Sequence, residues 1–320
     1  MHPGLFKMLD DIGVVYQYEP KIKRADILEI IQDFEGLMIR SKTKIDQAFL
    51  EKATQLKYIA RAGAGLELID LEEVKRKDIC VFAANEGNRD AVAEHVIALI
   101  LNVFNNINQA NQQVKQGIWL REANRGTELF GKTVAIIGYG NNGQATAQKL
   151  ASFGVKTLAY DIHEDFIGDS FAKKANMNQI FEEADVVSLH VPLTGLTKNF
   201  VNTAFINQFK KPFYLINAAR GEIVVLADVL QALTQNKILG AGLDVLENEK
   251  LDQLTPSQLV VFQGLSALPN VILTPHIAGW THESYIRINE VLVKKIYDYQ
   301  IGQSTQNLPK ANGQSLKAEL

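Results

Sequence analysis

The stretch Thr133-Val-Ala-Ile-Ile-Gly-Tyr-Gly-Asn-Asn-Gly-Gln-Ala-Thr-Ala-Gln-Lys-Leu150 limits what this chain can fold into more than any other. A buried β-run, Val134 to Ile137, enters a turn carrying Gly138, Gly140 and Gly143, and a helical pattern follows with Ala145, Ala147 and Leu150 inward. Gly138 allows the tight turn, Gly140 lets the backbone approach a pyrophosphate, and Gly143 lets helix and strand pack closely. The helix start then offers free N–H groups and a positive dipole end to phosphates. A second strand, Val155 to Tyr160, ends in Asp161, about 20 residues past the turn, where an acid meets the adenosine ribose. This context predicts dinucleotide binding by Gly138, Gly140, Asn141, Asn142, Gly143 and Asp161. An Asp161 carboxylate would accept from ribose hydroxyls and repel a 2′-phosphate. Ile162 and His163 offer no arginine to hold one, so the expected cofactor is NAD.

The 320 residues have room for two domains. A net charge of −3 gives no electrostatic reason to expect nucleic acid or an anionic membrane as partner. The single cysteine, Cys80, cannot pair internally, and no Cys/His spacing suggests a metal site. The longest apolar run, near His95–Phe104, is too short to span a bilayer, and a cytoplasmic protein is expected.

The chain alternates strands and helices from its start. Gly13–Tyr18, Gly36–Ile39, Tyr58–Ala60 and Ile79–Phe82 read as strands, with helices over Arg24–Phe34 and Ile45–Ala53. This rhythm predicts a parallel sheet covered by helices, with ligands beyond the carboxyl ends of its strands, where Arg40 and Arg61 stand. Asp90 to Gln116 reads as one long helix crossing between domains, and Gly117–Gly126 as a polar connection. Past Asp161 the rhythm continues: strands over Ala184–His190, Phe213–Ile216, Leu239–Leu243 and Asn270–Thr274, helices over Thr203–Phe209 and Leu226–Gln235. The stretch between Asp244 and Asn270 reads as a loop. A last amphipathic helix, Ser284 to Tyr299, finds its second-domain sheet already covered, so it is expected to return to the first domain. The organisation predicted is a discontinuous substrate domain, 1–92 and 284–320, around a nucleotide-binding domain, 93–283, with the active-site cleft between the lobes. The polar tail Ser304–Leu320 is expected to be mobile.

Three polar residues lie just past strand ends in the second domain: Arg220, Glu249 and His276. Exchanging hydride between a nicotinamide and a 2-hydroxy or 2-keto acid needs a cation on the carboxylate, an acid/base for the hydroxyl proton and a group to tune it. Arginine suits the first task through its planar fork, and histidine the second through its ordinary pKa. A carboxylate beside the histidine stabilises the imidazolium. Singly, each residue fits a solvated or paired side chain; in this order beyond a nucleotide fold, they form a candidate set.

Asn217-Ala-Ala-Arg-Gly-Glu-Ile-Val224, Gly242-Leu-Asp-Val-Leu-Glu-Asn-Glu249 and Thr274-Pro-His-Ile-Ala-Gly279 resemble the signature blocks of the D-isomer-specific 2-hydroxyacid dehydrogenases. His190-Val-Pro-Leu-Thr194 and Arg61-Ala-Gly-Ala-Gly65 extend the likeness over nearly the whole chain except the tail. The resemblance implies that Arg220 polarises the substrate, that His276 is the acid/base and that Glu249 is its partner. It also implies two Rossmann-like lobes, flavodoxin-like and NAD-binding, the substrate lobe built from both chain ends, and a homodimer. Val191, Pro192, Ala218, Ala219, Asp244 and Gly279 are expected along the cofactor, with His190 structural or cofactor-adjacent.

Within the family, the blocks around Leu37–Ile45, Tyr58–Gly65 and Gly117–Lys132 are most similar to the branch that oxidises 3-phospho-D-glycerate. That likeness implies substrate contacts from Arg40, Ser41, Arg61, Ala62 and Gly63, the arginines facing a phosphate. Departures from the pattern are Ala64, the pair Asn141-Asn142, Val225 and Trp280. A reductase of hydroxypyruvate, glyoxylate or another small 2-keto acid is the alternative, and an NAD-sensing corepressor-like binding protein is a third reading.

Overall fold

The computed structural model describes residues 2–163 and 165–304, so the expected mobile tail lies, from residue 305 on, outside the described residues. The chain divides into two compact units, one from Met1–Asn88 with Thr281–Leu320 and one from Arg89–Trp280.

In the first unit α1 (Gly4–Asp11) and α2 (Arg24–Ile30) precede β1 (Gly36–Ile39), α3 (Gln47–Lys52), β2 (Tyr58–Arg61), α4 (Leu71–Arg76) and β3 (Cys80–Ala83). Among the described residues β1, β2 and β3 form a parallel three-stranded sheet, with Ile39 opposite Arg61 and Arg61 opposite Ala83. One core, around Ile39, Phe49, Ile59 and Val74, takes in α2, α3 and α4. The other joins Leu5 and Leu9 of α1 and Ala60 of β2 to Ile288, Leu292 and Ile296 of the last helix. This lobe is therefore built from both chain ends. The segment Gly13–Tyr18, expected as a strand, is not one. Gly13 (φ +71) turns the chain back on α1, where the Val14 N–H donates to the Leu9 carbonyl. Tyr16 and Tyr18 pack on the Phe6 ring, and Val15 is 98% exposed.

The second unit opens with α5 (Arg89–Phe104) and α6 (Ile107–Lys115). The single helix expected from Asp90 to Gln116 is thus two. Asn106 is left-handed (φ 52), the Phe104 carbonyl accepts from the Thr127 N–H, and the Asn108 N–H is held by Asn102 Oδ1. There follow β4 (Thr133–Ile137), α7 (Asn141–Leu150), β5 (Lys156–Tyr160), β6 (Lys173–Lys174), α8 (Met177–Glu183) and β7 (Val186–Leu189). The unit continues through α9 (Thr203–Gln208), β8 (Phe213–Asn217), α10 (Leu226–Thr234), β9 (Ile238–Leu243), α11 (Pro256–Ala267) and β10 (Val271–Leu273). The α12 helix (His282–Ser304) belongs to the first unit.

The helix α11 replaces part of the expected loop. Thr255 caps it in a reciprocal box with Gln258, and Pro256 stands in its first turn.

Among the described residues the second sheet has seven parallel strands in the order β10-β9-β8-β7-β4-β5-β6. Its strands read as continuous apolar runs because both faces are covered. Ala135 and Ile137 of β4 join one core with α9 and α10, while Val134 and Ile136 join the other with α5 and α7. The order reverses direction at β4, between β5 and β7, and such a switch point opens a crevice at the carboxyl ends of the strands.

Candidate active site

The glycine turn sits at that switch point. Gly138 adopts φ +92, which a side chain would strain. A Cβ on Gly143 would overlap the Gly138 carbonyl oxygen and lie 3.1 Å from Ile136 Cγ2, so α7 approaches β4 only without one. Gly140, at the α7 N-cap, faces open space: a Cβ there would meet nothing within 4 Å. No side chain caps the start of α7, where Asn141 and Asn142 open the helix. Its first N–H groups have no partner in the helix itself, and this open, electropositive cradle fits a pyrophosphate. Asp161 follows β5, with Oδ2 accepting the Tyr139 N–H at 2.7 Å and Oδ1 the His163 N–H at 3.0 Å. The acid expected at the ribose is thereby tied to the turn expected at the phosphates.

On the other side of the switch point, Val191 Cγ1 would lie 2.9 Å from a Cβ on Gly138, so the His190-Val191-Pro192 segment runs along the turn. His190 is half-buried, and its desolvation lowers its pKa from 6.5 to about 4; its Nε2 lies 2.8 Å from Ser188 Oγ. It is a neutral ring near pH 7.

The loops after β8, β9 and β10 carry the other candidates. Asn217, buried at the end of β8, braces the first: its Oδ1 accepts the Ala219 N–H and its Nδ2 donates to the Arg220 carbonyl at 2.9 Å. Arg220 therefore leaves a fixed turn formed with Ala218 and Ala219, half-buried, with one guanidinium N–H on the Ala219 carbonyl. The adjoining Gly221 has no Cβ because the Leu246 carbonyl occupies that space. This contact sets the Arg220 turn against the segment that leads to Glu249.

Asp244 follows β9 and is buried. Its Oδ1 accepts from Thr274 Oγ1 at 2.5 Å and from the Ile277 N–H at 2.9 Å, and its Oδ2 from the Ala278 N–H at 2.8 Å. Burial pushes its pKa up, but hydrogen bonds from His95, Thr274 and the two N–H groups outweigh it and hold the carboxyl below its ordinary value. The Asp244 carbonyl also accepts the His276 N–H at 2.7 Å. His276 is half-exposed and left-handed (φ 55), and its Nδ1 lies 2.9 Å from Glu249 Oε1 and 3.1 Å from Oε2. Gly279 closes the same loop.

In the first unit, Arg61 ends β2 and Arg40 and Ser41 follow β1, so both arginines stand at the carboxyl edge of adjacent strands. The Arg61 guanidinium donates to the Ala62 carbonyl at 2.6 Å, beside Gly63, and the Arg40 guanidinium lies 5.5 Å from the Tyr285 ring centre. Among the described residues no group of three or more His, Cys, Asp or Glu could hold a metal ion, and no helix is long and apolar enough to cross a membrane.

His95, Thr274, Asn217 and Ser188 were not singled out from the sequence as site residues. Thr274 was legible as part of the Thr-Pro-His block, whereas His95 read as one more inward position of a helix.

A seven-stranded parallel sheet with a glycine turn at its switch point and a histidine–carboxylate pair past its strand ends defines a dinucleotide-dependent oxidoreductase. Residues 97–278 match the model of the D-isomer specific 2-hydroxyacid dehydrogenase NAD-binding domain. The chain is 35% identical to hydroxypyruvate reductase of Thermotoga maritima over 276 residues, covering 86% of this chain and 88% of that one. It is also 35% identical to D-3-phosphoglycerate dehydrogenase of Bacillus subtilis over 293 residues, which is 89% of this chain but 54% of that enzyme. The fold is similar to that of D-lactate dehydrogenase from Aquifex aeolicus complexed with NAD and lactic acid (TM-score 0.79, 28% identity, covering 95% and 93% of the two chains). The chain belongs to the D-isomer-specific 2-hydroxyacid dehydrogenase family. It is an NAD-dependent oxidoreductase acting on the CH–OH group of 2-hydroxy acids.

Proposed function

We propose that this protein oxidises 3-phospho-D-glycerate to 3-phosphooxypyruvate with NAD, the opening step of serine synthesis in the cytoplasm. The observation that carries the substrate is the pair Arg40 and Arg61 at one edge of the first sheet. A phosphorylated acid presents anions at both ends, and one arginine on the carboxylate leaves the phosphate without a partner. The likeness to the B. subtilis phosphoglycerate dehydrogenase supports the same choice.

Bound NAD would supply the hydride acceptor, and Gly138, Gly140 and Gly143 would hold its pyrophosphate and Asp161 its adenosine ribose. Arg220 pairs the substrate carboxylate through its fork and draws charge from the reacting oxygen. A carboxylate at 2.9 Å accepts from the His276 Nδ1–H, so Nε2 is the lone-pair nitrogen that takes the hydroxyl proton. Glu249 stabilises the imidazolium so formed. In the reverse direction the same Nε2–H returns the proton. A homodimer is supported by the apolar side chains exposed on α6 and the segment after it: Ile107, Val114, Ile118 and Trp119.

The T. maritima relative, matched over 88% of its length, favours a second reading: reduction of hydroxypyruvate. The test is NADH production from 3-phospho-D-glycerate, with the product removed, beside NADH oxidation with hydroxypyruvate and glyoxylate. The proposal expects preference for the phosphorylated acid, and Arg40→Ala and Arg61→Ala should each raise its KM about tenfold or more while leaving hydroxypyruvate unaffected. Turnover with the unphosphorylated keto acids alone would move the function to the second reading.

A further inference from the structure

The α5 helix lies on β9 in a fixed register. A Cβ on Gly240 would come 2.5 Å from Val103 Cγ1, and a Cβ on Gly242 would come 2.9 Å from Leu99 Cβ. Four helical residues rise about 6 Å, and two strand residues about 6.6 Å. Each step of four along α5 thus matches a step of two along β9, in the opposite direction. The next step sets His95 over Asp244. There His95 Nε2 lies 3.1 Å from Thr274 Oγ1 and 3.4 Å from Asp244 Oδ1. The two strand glycines bring the helix close enough for that contact.

The donor inventory fixes the proton at this meeting. Thr274 Oγ1 donates to Asp244, and an ionised carboxylate has no proton to give. Both neighbours of Nε2 are therefore acceptors towards it, so His95 Nε2 carries a proton. Through Thr274 and directly, the ring holds one face of a carboxylate whose remaining bonds go to the Ile277 and Ala278 N–H groups. With the Thr274 bond before it and these two after it, the carboxylate brackets His276, whose left-handed backbone is uncommon for a residue with a side chain and persists only where its surroundings impose it.

We propose that His95 and Thr274 are positioning residues that orient the Asp244 carboxylate, which in turn templates the His276 turn and aims the imidazole at Glu249 and the substrate. This rests on the reading of His276 as the acid/base. The contact acts through Asp244 rather than on the substrate. Its loss leaves keto-acid binding in place and lets the His276 ring leave its working geometry. The titratable groups in contact here are Glu249 against His276 and His95 against Asp244.

The test uses the full chain with His95→Leu, His95→Gln, Thr274→Val, Thr274→Ser and His276→Gln. Two properties are measured: turnover of hydroxypyruvate with NADH across pH, and the NMR titration of the His276 ring in the ligand-free protein, assigned by its loss in His276→Gln. His95→Leu and Thr274→Val should lower kcat about tenfold or more, as small misplacements of a catalytic group do. They should leave KM within about twofold and move the ring titration. Gln presents an N–H near the position of Nε2, and Ser keeps the hydroxyl, so both conservative variants should recover most of the kcat and the wild-type titration. An unchanged kcat and titration in His95→Leu and Thr274→Val would overturn the proposal. So would a His95→Gln variant as impaired as His95→Leu, which would reduce His95 to helix packing. Wild-type turnover in His276→Gln would remove the acid/base reading instead, and the ring titration would still decide whether His95 and Thr274 hold that ring.

Discussion

His276 meets both oxygens of Glu249 through one nitrogen, Nδ1, at 2.9 and 3.1 Å. The ring is thus oriented and its tautomer fixed by a single partner carried on a different loop, past β9 rather than β10. Replacing Glu249 by Gln keeps an acceptor for Nδ1–H but removes the negative charge that favours the imidazolium. Turnover should fall about a hundredfold. A kcat of Glu249→Gln equal to that of the wild type would remove Glu249 from the mechanism.

The glycine turn separates folding from cofactor binding. Gly143→Ala drives a methyl into the Gly138 carbonyl, and the nearest relief is backbone movement at the β4–α7 junction. It should cost about 1–3 kcal/mol of stability. Gly140→Ala meets nothing within 4 Å, and its backbone (φ −78, ψ −159) suits any residue. Its melting temperature should stay within about 2 °C of wild type. The new methyl would nevertheless stand where the pyrophosphate approaches, so NADH should bind about tenfold more weakly. Thermal melts and NADH fluorescence titrations of the two variants report the contrast, and equal affinity in Gly140→Ala and wild type would count against a phosphate at this turn.

Asp161 accepts the Tyr139 and His163 N–H groups and is the acid expected to meet an adenosine ribose. Asp161→Ser keeps an acceptor near the turn but loses the charge that repels a 2′-phosphate. The ratio of kcat/KM for NADH over NADPH should drop about a hundredfold. The decisive measurement is that ratio in both proteins under one set of conditions; if it does not move, cofactor choice is set elsewhere.

The second unit was legible because its strands are buried on both faces and its turn residues have backbone duties that few other residues can meet. Val134 to Ile137 is an unbroken apolar run for that reason, and Gly138 and Gly143 stand where a Cβ fails. The first unit was less so. Gly13 to Tyr18 is rich in β-branched and aromatic residues like a strand, yet the rings of Tyr16 and Tyr18 are taken by Phe6 of a helix that precedes them, a contact no sequence pattern encodes. The break after Phe104 was hidden because Asn105 and Asn106 are tolerable in a helix; it depends on Thr127, twenty-odd residues on, taking the Phe104 carbonyl. In the candidate site, Arg220, Glu249 and His276 were singled out by residue type and block. His95 was not, since its role as an Asp244 partner depends on the register of α5 against Gly240 and Gly242.

His190 gives the protein an acid-sensitive point under the cofactor turn. Its backbone N–H donates to the Ile137 carbonyl, and its carbonyl lies 2.8 Å from where a Cβ of Gly138 would be. Desolvation lowers its pKa from 6.5 to about 4 in the folded protein. Between those values the unfolded chain takes up a proton that the folded chain refuses, so the folded state loses stability as pH falls from 6.5 towards 4 and is unaffected above that window. The loss approaches about 1.4 kcal/mol per pH unit, or about 3 kcal/mol in all. The Asp244 carboxyl, held below its ordinary value, adds a loss only at lower pH. His190→Gln keeps a group that can bond Ser188 Oγ and does not titrate. Urea unfolding midpoints at pH 7, 5.5 and 4.5 should therefore fall less steeply in the variant than in the wild type. Parallel lines for the two proteins would mean that His190 does not titrate in this window in the folded protein's favour or against it.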